Sequence, residues 1–304
     1  MNKKEVTGMI CAALSAILFG SESLVINAAY DLGSNPLMVT FGRFLIGTAL
    51  LGLILLILPS GSFRVTKKQF FKLIPLSVFL CGTPMLLYSA YQFIGVGLST
   101  TLHFTYPILV MALSALLFRV KPTKKDLFCG VLCMAGIVLL SQAEGSLNGW
   151  GVFIALLSGL VYASYAVFLD RSGLRVLNVL TVSFWLSLLS AVIVFLAAAV
   201  TGKLAFSLPG QVWIYYALLA LIAMVLGATL FQVGVRLCGP VRATLFSTLE
   251  PVTAVIVGLL AFHEILQRRM ILGIVLILLA VLVLALPGRK EAEPRVEEDR
   301  AGKE

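Results

Sequence analysis

Charge is what this chain has least of. Only 12% of its 304 residues are Asp, Glu, Lys or Arg, against about a quarter in a soluble globular protein. With 60% of residues hydrophobic and a mean hydropathy of +1.04, there is more apolar surface than one core can hide, so lipid is the solvent for much of it. Histidine occurs twice, and the five cysteines (Cys11, Cys81, Cys129, Cys133, Cys238) all stand in apolar runs. Only Cys129 and Cys133 share helical spacing, and no His or carboxylate accompanies them. That argues against a metal centre, a redox pair or a secreted disulfide framework, and leaves them as small buried hydrophobes.

Catalytic motifs are missing too. His263-Glu264 opens a zinc-protease signature, but Gln267 stands where the second His is needed. There is no Gly-x-Ser-x-Gly elbow, no aspartate-rich pair and no Walker loop. An enzyme and a self-contained ATP-driven pump are both disfavoured, and no cofactor is called for.

What is present is a series of apolar stretches, each about 20 residues and so long enough to cross a bilayer as a helix. They run at 8–29, 36–58, 70–91, 98–118, 125–142, 150–170, 178–200, 211–235, 241–262 and 270–287. Asn35-Pro36, Lys121-Pro122, Pro209-Gly210 and Gly239-Pro240 punctuate them as turns. Residues 288–304 are charged, carry no apolar run and read as a solvated, disordered tail. Ten spans with a cytoplasmic amino terminus put nineteen Lys and Arg on the cytoplasmic side and three outside, the asymmetry that orients membrane proteins. The net charge of +9 is therefore topology and not a nucleic-acid patch. Lys3-Lys4 before an apolar run is also how a cleaved leader begins, but the first span has a counterpart in the second half.

That counterpart belongs to a repeat with an offset of about 143 residues. Gly8, Ala12, Ala16 and Gly20 form a small-residue ladder on span 1, and Gly151, Ala155, Gly159 and Ala163 form it again on span 6. The same shift carries Asn35 onto Asn178 and Thr40-Phe41 onto Ser183-Phe184, and with slight drift Pro107 onto Pro251. Residues 1–143 and 149–287 are the expected units, five spans each. An odd number of spans obliges the halves to insert in opposite orientations, as in many secondary transporters. The expected fold is all-α, with ten transmembrane helices as two inverted five-helix repeats.

A charge at mid-membrane costs about 2.5–3.5 kcal/mol on insertion scales, so each needs a partner or water. Glu22 and Arg43 both fall about 10 Å below the outer boundary at helical rise, on consecutive spans, where they can pair. Glu250 precedes Pro251 within span 9, and its repeat mate is Tyr106, before Pro107 on span 4. Prolines inside both spans are expected to interrupt them in the middle and free a backbone carbonyl. His103 lies one turn from Tyr106, either as a packed hydrogen-bonder or as a proton-coupling group. Tyr88, Gln92, Tyr162 and Gln232 can hydrogen-bond a polar solute, and Trp185, with Phe184 and Phe41, can stack on an apolar part of it.

Phe19-Gly20, Arg43-Phe44-Leu45 after Pro36, Tyr106-Pro107, Glu250-Pro251 and the Glu264 turn together resemble the EamA-like branch of the drug/metabolite transporter superfamily over residues 8 to 287. The resemblance implies a ten-helix carrier of the cytoplasmic (inner) membrane with both termini cytoplasmic, often an exporter of amino acids or other metabolites. Two positions depart from it. Glu22 replaces a small polar or amide residue, and Val120 occupies the place in the first half that matches Glu264. The expected partners are a small-molecule substrate, the lipid bilayer and a coupling proton, with the protein a monomer or homodimer. A channel or a scaffold subunit is the alternative.

Overall fold

Helices begin where short polar side chains satisfy free backbone N–H groups. In the computed structural model, which describes residues 2–59, 61–140, 148–262 and 267–286, Asn2 caps α1 (Lys3–Asp31) in a reciprocal box with Glu5. Asn35 accepts from Leu37 and Met38 N–H to start α2 (Pro36–Ile57). Thr66 caps α3 (Lys67–His103), followed by α4 (Tyr106–Phe118) and α5 (Lys124–Leu140). The second half begins with α6 (Gly149–Arg171), capped by Asn148, and α7 (Val179–Val200), capped by Asn178. A single long rod then runs through α8 (Gly210–Leu219), a π-helical stretch (Ala220–Ala228) and α9 (Thr229–Cys238). The last elements are α10 (Pro240–Phe246), α11 (Leu249–Phe262) and α12 (Arg268–Ala285).

Among the described residues, nine helical segments are long and apolar enough to cross a membrane. The remaining crossing is α5, whose described part is 17 residues. The chain is an all-α integral membrane protein of two inverted five-helix halves, and the inversion is visible in how counterpart helices pair. Along α2 and α7, Asn35 reaches Lys203, Phe41 meets Phe195, Ser187 donates to the Phe44 carbonyl, and Thr181 donates to Ser62. Ascending numbers on one helix meet descending numbers on the other, so the two counterparts run antiparallel. On α5 and α12, Lys125 reaches the Leu284 carbonyl while Gly136 lies against Gly273 and Ile277, again antiparallel.

The small-residue ladders bring the halves together by exchange. Gly8 touches Leu237 and Cys238, and Gly151 touches Phe93 and Ile94. In both cases the contacted residues precede a glycine of positive φ: Gly239 (φ 82°) and, one repeat earlier, Gly95 (φ 74°). L-residues rarely adopt that conformation, and both glycines end a long helix so that a shorter one restarts in a new direction. Further along, a Cβ on Gly20 would meet the Glu250 carbonyl at 2.5 Å, and one on Gly159 would meet the His103 carbonyl at 2.7 Å. The first helix of each half thus lies against the interrupted region of the other half.

The prolines act differently from expectation. Spans 4 and 9 do not bend at Pro107 and Pro251. Each is interrupted just ahead of its proline, at Phe104-Thr105 and Ser247-Thr248. Thr105 and Ser247 keep right-handed helical dihedrals, but the N–H groups of Thr105 and Thr248 bond three residues back, to Leu102 and Leu245. The proline sits in the first turn of the helix that follows. There its missing N–H is no loss, because first-turn N–H groups lack a helical acceptor anyway.

Arg242 pairs with Glu5 at 3.6 Å, Lys72 donates to the Ser172 carbonyl and Arg236 to that of Leu177. These contacts gather the basic loops and the start of α1 on one face, called here the amino-terminal face. The half of the molecule near it is one continuous buried core. In the other half the buried apolar residues form two separate clusters, one around Met38, Phe44 and Tyr216, the other around Ala90, Ile94 and Ala155. The Glu264 turn, His263 and the tail beyond residue 287 lie outside the described residues.

Gly159→Val tests the close approach of the halves. Forcing a branched side chain against the His103 carbonyl costs about 1–3 kcal/mol, so the purified variant melts at a lower temperature. Gly149→Ala, where a Cβ meets nothing within 4 Å, leaves the melt unchanged. Equal melting of the two variants would contradict the packing.

Candidate functional site

Glu22 projects from the second half of α1 and Arg43 from the second turn of α2. The two helices, joined by the turn at residues 32–35, both pack on the rod of α8 and the π-helical stretch and not closely on each other, so the two long side chains bridge the space between them. Arg43 Nη1 stands 3.2 Å from Glu22 Oε2, with side-chain exposures of 6% and 14%, so the pair is nearly dehydrated but not sealed. The phenol of Tyr88 lies beside the same guanidinium, and the ring of Phe44 lies 5.4 Å from its carbon. Arg43 Nε has no hydrogen-bond partner. A guanidinium offers five donors in a fixed fork, so this one retains capacity for an acceptor.

Glu250 occupies the first turn of α11, where the positive end of a helix dipole favours a carboxylate. It is half-buried and makes no ion pair or hydrogen bond through its carboxylate among the described residues. Glu22 and Arg43 are both within its electrostatic reach, as are Tyr91, Tyr106 and Tyr162. Two carboxylates therefore share one guanidinium, and the ion pair leaves Glu250 as the uncompensated charge.

His103 Nδ1 is 2.9 Å from Ser158 Oγ, and that hydroxyl donates to the Ala155 carbonyl. Nδ1 is then the donor to Ser158, which fixes the ring against Tyr106 and Tyr162. Tyr106 and Tyr162 meet edge to face at 4.7 Å between centroids.

Glu22, Arg43, Tyr88, Tyr106, Tyr162 and Glu250 thus converge, with His103 buttressing the tyrosines from behind. Four other expected residues lie apart. Trp185 donates from Nε1 to the Phe63 carbonyl and packs on Phe70 and Phe184, fastening the 62–65 segment to α7. Gln92 is exposed on α3, one position beyond the face that carries Tyr88 and Tyr91. Gln232 is buried and donates to Ser183, deeper toward the amino-terminal face. Phe41, similarly, packs on Phe195 and Phe206 away from the cluster.

Sequence reasoning passed over Tyr91 and Tyr30. Tyr91 rests 5.6 Å from the Tyr88 ring, and its hydroxyl reaches Thr100 across the Gly95 break at 3.4 Å. The three-residue spacing of Tyr88 and Tyr91 was the available signal, since it puts both on one helix face. Tyr30 feels the charges of Arg43 and Glu22, and its buried hydroxyl lacks a partner.

Comparison with known proteins bears on the family and the fold. The family model described as the EamA-like transporter family matches residues 6–142 and again residues 149–286. An uncharacterized transporter of Bacillus subtilis, YcbK, is 24% identical over 89% of this chain and 90% of its own length. The uncharacterized inner membrane transporter YedA of Escherichia coli K12 is 26% identical over 89% of this chain and 88% of that protein. An uncharacterized transporter of Synechocystis, sll1319, is 29% identical, but the match spans 66% of this chain and 62% of that one. One solved crystal structure superposes with a TM-score of 0.78 over 91% of this chain and 95% of the other, at 17% identity, so the fold is shared.

Arg43→Gln leaves two carboxylates without a cation, at about 3–5 kcal/mol for breaking a buried pair. Glu22→Gln instead leaves the guanidinium within reach of Glu250, and the double variant adds little to the loss from Arg43→Gln. Thermal unfolding of the three proteins is expected to show a double-variant loss smaller than the sum of the singles. Additive losses would mean the two side chains do not interact.

Proposed function

Because the chain belongs to the EamA-like transporter family, we infer that it carries a small polar or amphipathic metabolite, such as an amino acid, out across the cytoplasmic membrane by alternating access. The observation that supports this best is the pair of helix interruptions at matching places in the two halves, one of them setting Glu250 opposite the Glu22–Arg43 pair. Interrupted helices near the bilayer centre, at equivalent points of inverted repeats, are where secondary transporters bind solutes.

The chemistry of the cluster suits a solute with groups of both signs. The free Nε of Arg43 and the Tyr88 phenol are donors for a carboxylate, and Glu250 accepts an ammonium group or a proton. Tyr91, Tyr106 and Tyr162 supply ring faces and hydroxyls of neutral character for the rest. In this reading Glu250 alternates between solute and proton, and His103 positions Tyr106 and Tyr162. Basic loops on the amino-terminal face make that face cytoplasmic, with both termini on it.

Counterflow in proteoliposomes tests the reading. Vesicles preloaded with an unlabelled amino acid mixture accumulate labelled amino acids transiently and with saturation. Glu250→Gln lowers the rate at least about tenfold, the effect of about 1.4 kcal/mol of lost solute binding, and flattens its pH dependence. Linear flux without counterflow would indicate a channel instead. An unchanged rate and pH profile in Glu250→Gln would remove that residue from the site.

A further inference from the structure

Buried polar atoms without hydrogen bonds are rare, and each calls for an explanation. Among the described residues, three of them and a fourth, half-used hydroxyl lie along α4, α6 and α9. The Tyr165 hydroxyl (1% exposed), the Gln232 Oε1 (1%) and the Ser114 Oγ (3%) have no partner, and the Tyr106 hydroxyl, also 1% exposed, has the Ser247 oxygen alone. The Ser247 hydroxyl near Tyr106 spends its proton on the Ala243 carbonyl, and Gln232 spends its amide on Ser183. Ring contacts run from Tyr106 through Tyr162 to Tyr165 and on to Phe231, the residue before Gln232, and Ser114 stands about two turns beyond Tyr106 on α4.

The row has a direction. It begins at the break before α4, beside Glu250, and runs toward the amino-terminal face. It ends at a groove of about 220 Å³ in that face, lined by Ser114, Arg171, Gly239 and Arg242 among others. A static buried water satisfies one small group of polar atoms at a time. It does not account for a file of unused groups from the mid-membrane site to a surface groove. Nor is the row built for permanent sealing. Gly239, at positive φ, is the joint between α9 and α10 at the mouth of the groove, and the adjacent closure is a partly exposed Arg242–Glu5 pair.

We propose that Tyr106, Tyr165, Gln232 and Ser114 line the amino-terminal half of the transport path, closed in this conformer. When that half opens, their two phenols, amide oxygen and hydroxyl bind a solute carrying both hydrogen-bond donors and acceptors. The inference rests on the transporter reading and adds to it a second, uncharged stretch of the path. The charged cluster around Arg43 and Glu250 holds the solute at mid-membrane. The phenol-amide row passes it to the face where Arg171 and Arg242 stand.

Hydroxyl-radical footprinting of the protein in lipid vesicles, read residue by residue by mass spectrometry, tests this without any substrate. Leu51, fully buried on α2 two turns beyond the site, is the reference, with rates corrected for intrinsic reactivity. A minor open state lets Tyr106 and Tyr165 oxidise at least about tenfold faster than Leu51. Arg242→Glu, which sets like charges where the Glu5 pair closes the face, raises the Tyr165 rate about two- to fivefold. If that variant fails to fold, Glu5→Gln is read by the same criterion. Tyr165 oxidised no faster than Leu51 in either protein would overturn the proposal. So would fast oxidation indifferent to the substitution, which would mark a static water. Either result alongside intact counterflow rejects this path alone and leaves the transporter reading standing.

Discussion

A bilayer offers no hydrogen bonds to a broken backbone, so a helix interrupted at mid-membrane survives only where protein or a wet cavity surrounds the break. This chain has two such breaks, at 104–105 and 247–248, and much of its architecture provides for them. Gly159 lies against the first and Gly20 against the second, so that a neighbouring helix covers the exposed carbonyls closely. Proline follows each break, in the one part of a helix where its missing N–H is harmless. Glu250 stands at the positive end of the restarted α11. The breaks supply one side of the site, Glu250 and Tyr106, and the uninterrupted α1 and α2 supply the other, Glu22 and Arg43.

The two halves use the same backbone plan with different side chains. Glu22 and Arg43 sit in the first half, and the same offset places Tyr165 and Leu186 at their positions in the second half, neither of them charged. Glu250 is matched by Tyr106 across the repeat. The charged groups therefore cluster toward the half of the molecule with the divided core, and the opposite half of the path is neutral and shut. An inverted repeat can exchange the shapes of its halves while the ligands stay different, which gives the two access routes unlike chemistry.

Much of this was legible in the sequence because lipid imposes simple rules. Length and hydropathy delimit spans, the small-residue ladder exposes the repeat, and the cost of charge picks out Glu22, Arg43 and Glu250. What escaped depended on backbone geometry at single residues. A proline pattern does not distinguish a kink from a helix start, so Pro107 and Pro251 were assigned to helix interiors. Gly95 was expected only to lie between spans 3 and 4, and nothing in the sequence marked it over Gly97 as the residue whose φ of 74° redirects the chain. Trp185 and Gln232 have the right chemistry for a binding site, and packing employs one to fasten a loop and the other to reach Ser183. Their helical depth was readable, but their facing was not. Tyr91 was hidden for the opposite reason, being one more aromatic on an apolar helix.

The central claim is that the two faces open reciprocally around a fixed mid-membrane site. Pairs of nitroxide labels measure this most directly, one pair at positions 121 and 242 across the amino-terminal face and another at positions 31 and 148 across the opposite face. In lipid, each pair should give two distances, and the fraction open on one face should equal the fraction closed on the other under every condition that shifts the balance. A single, invariant distance on both faces, or openings that rise and fall together, would contradict the account.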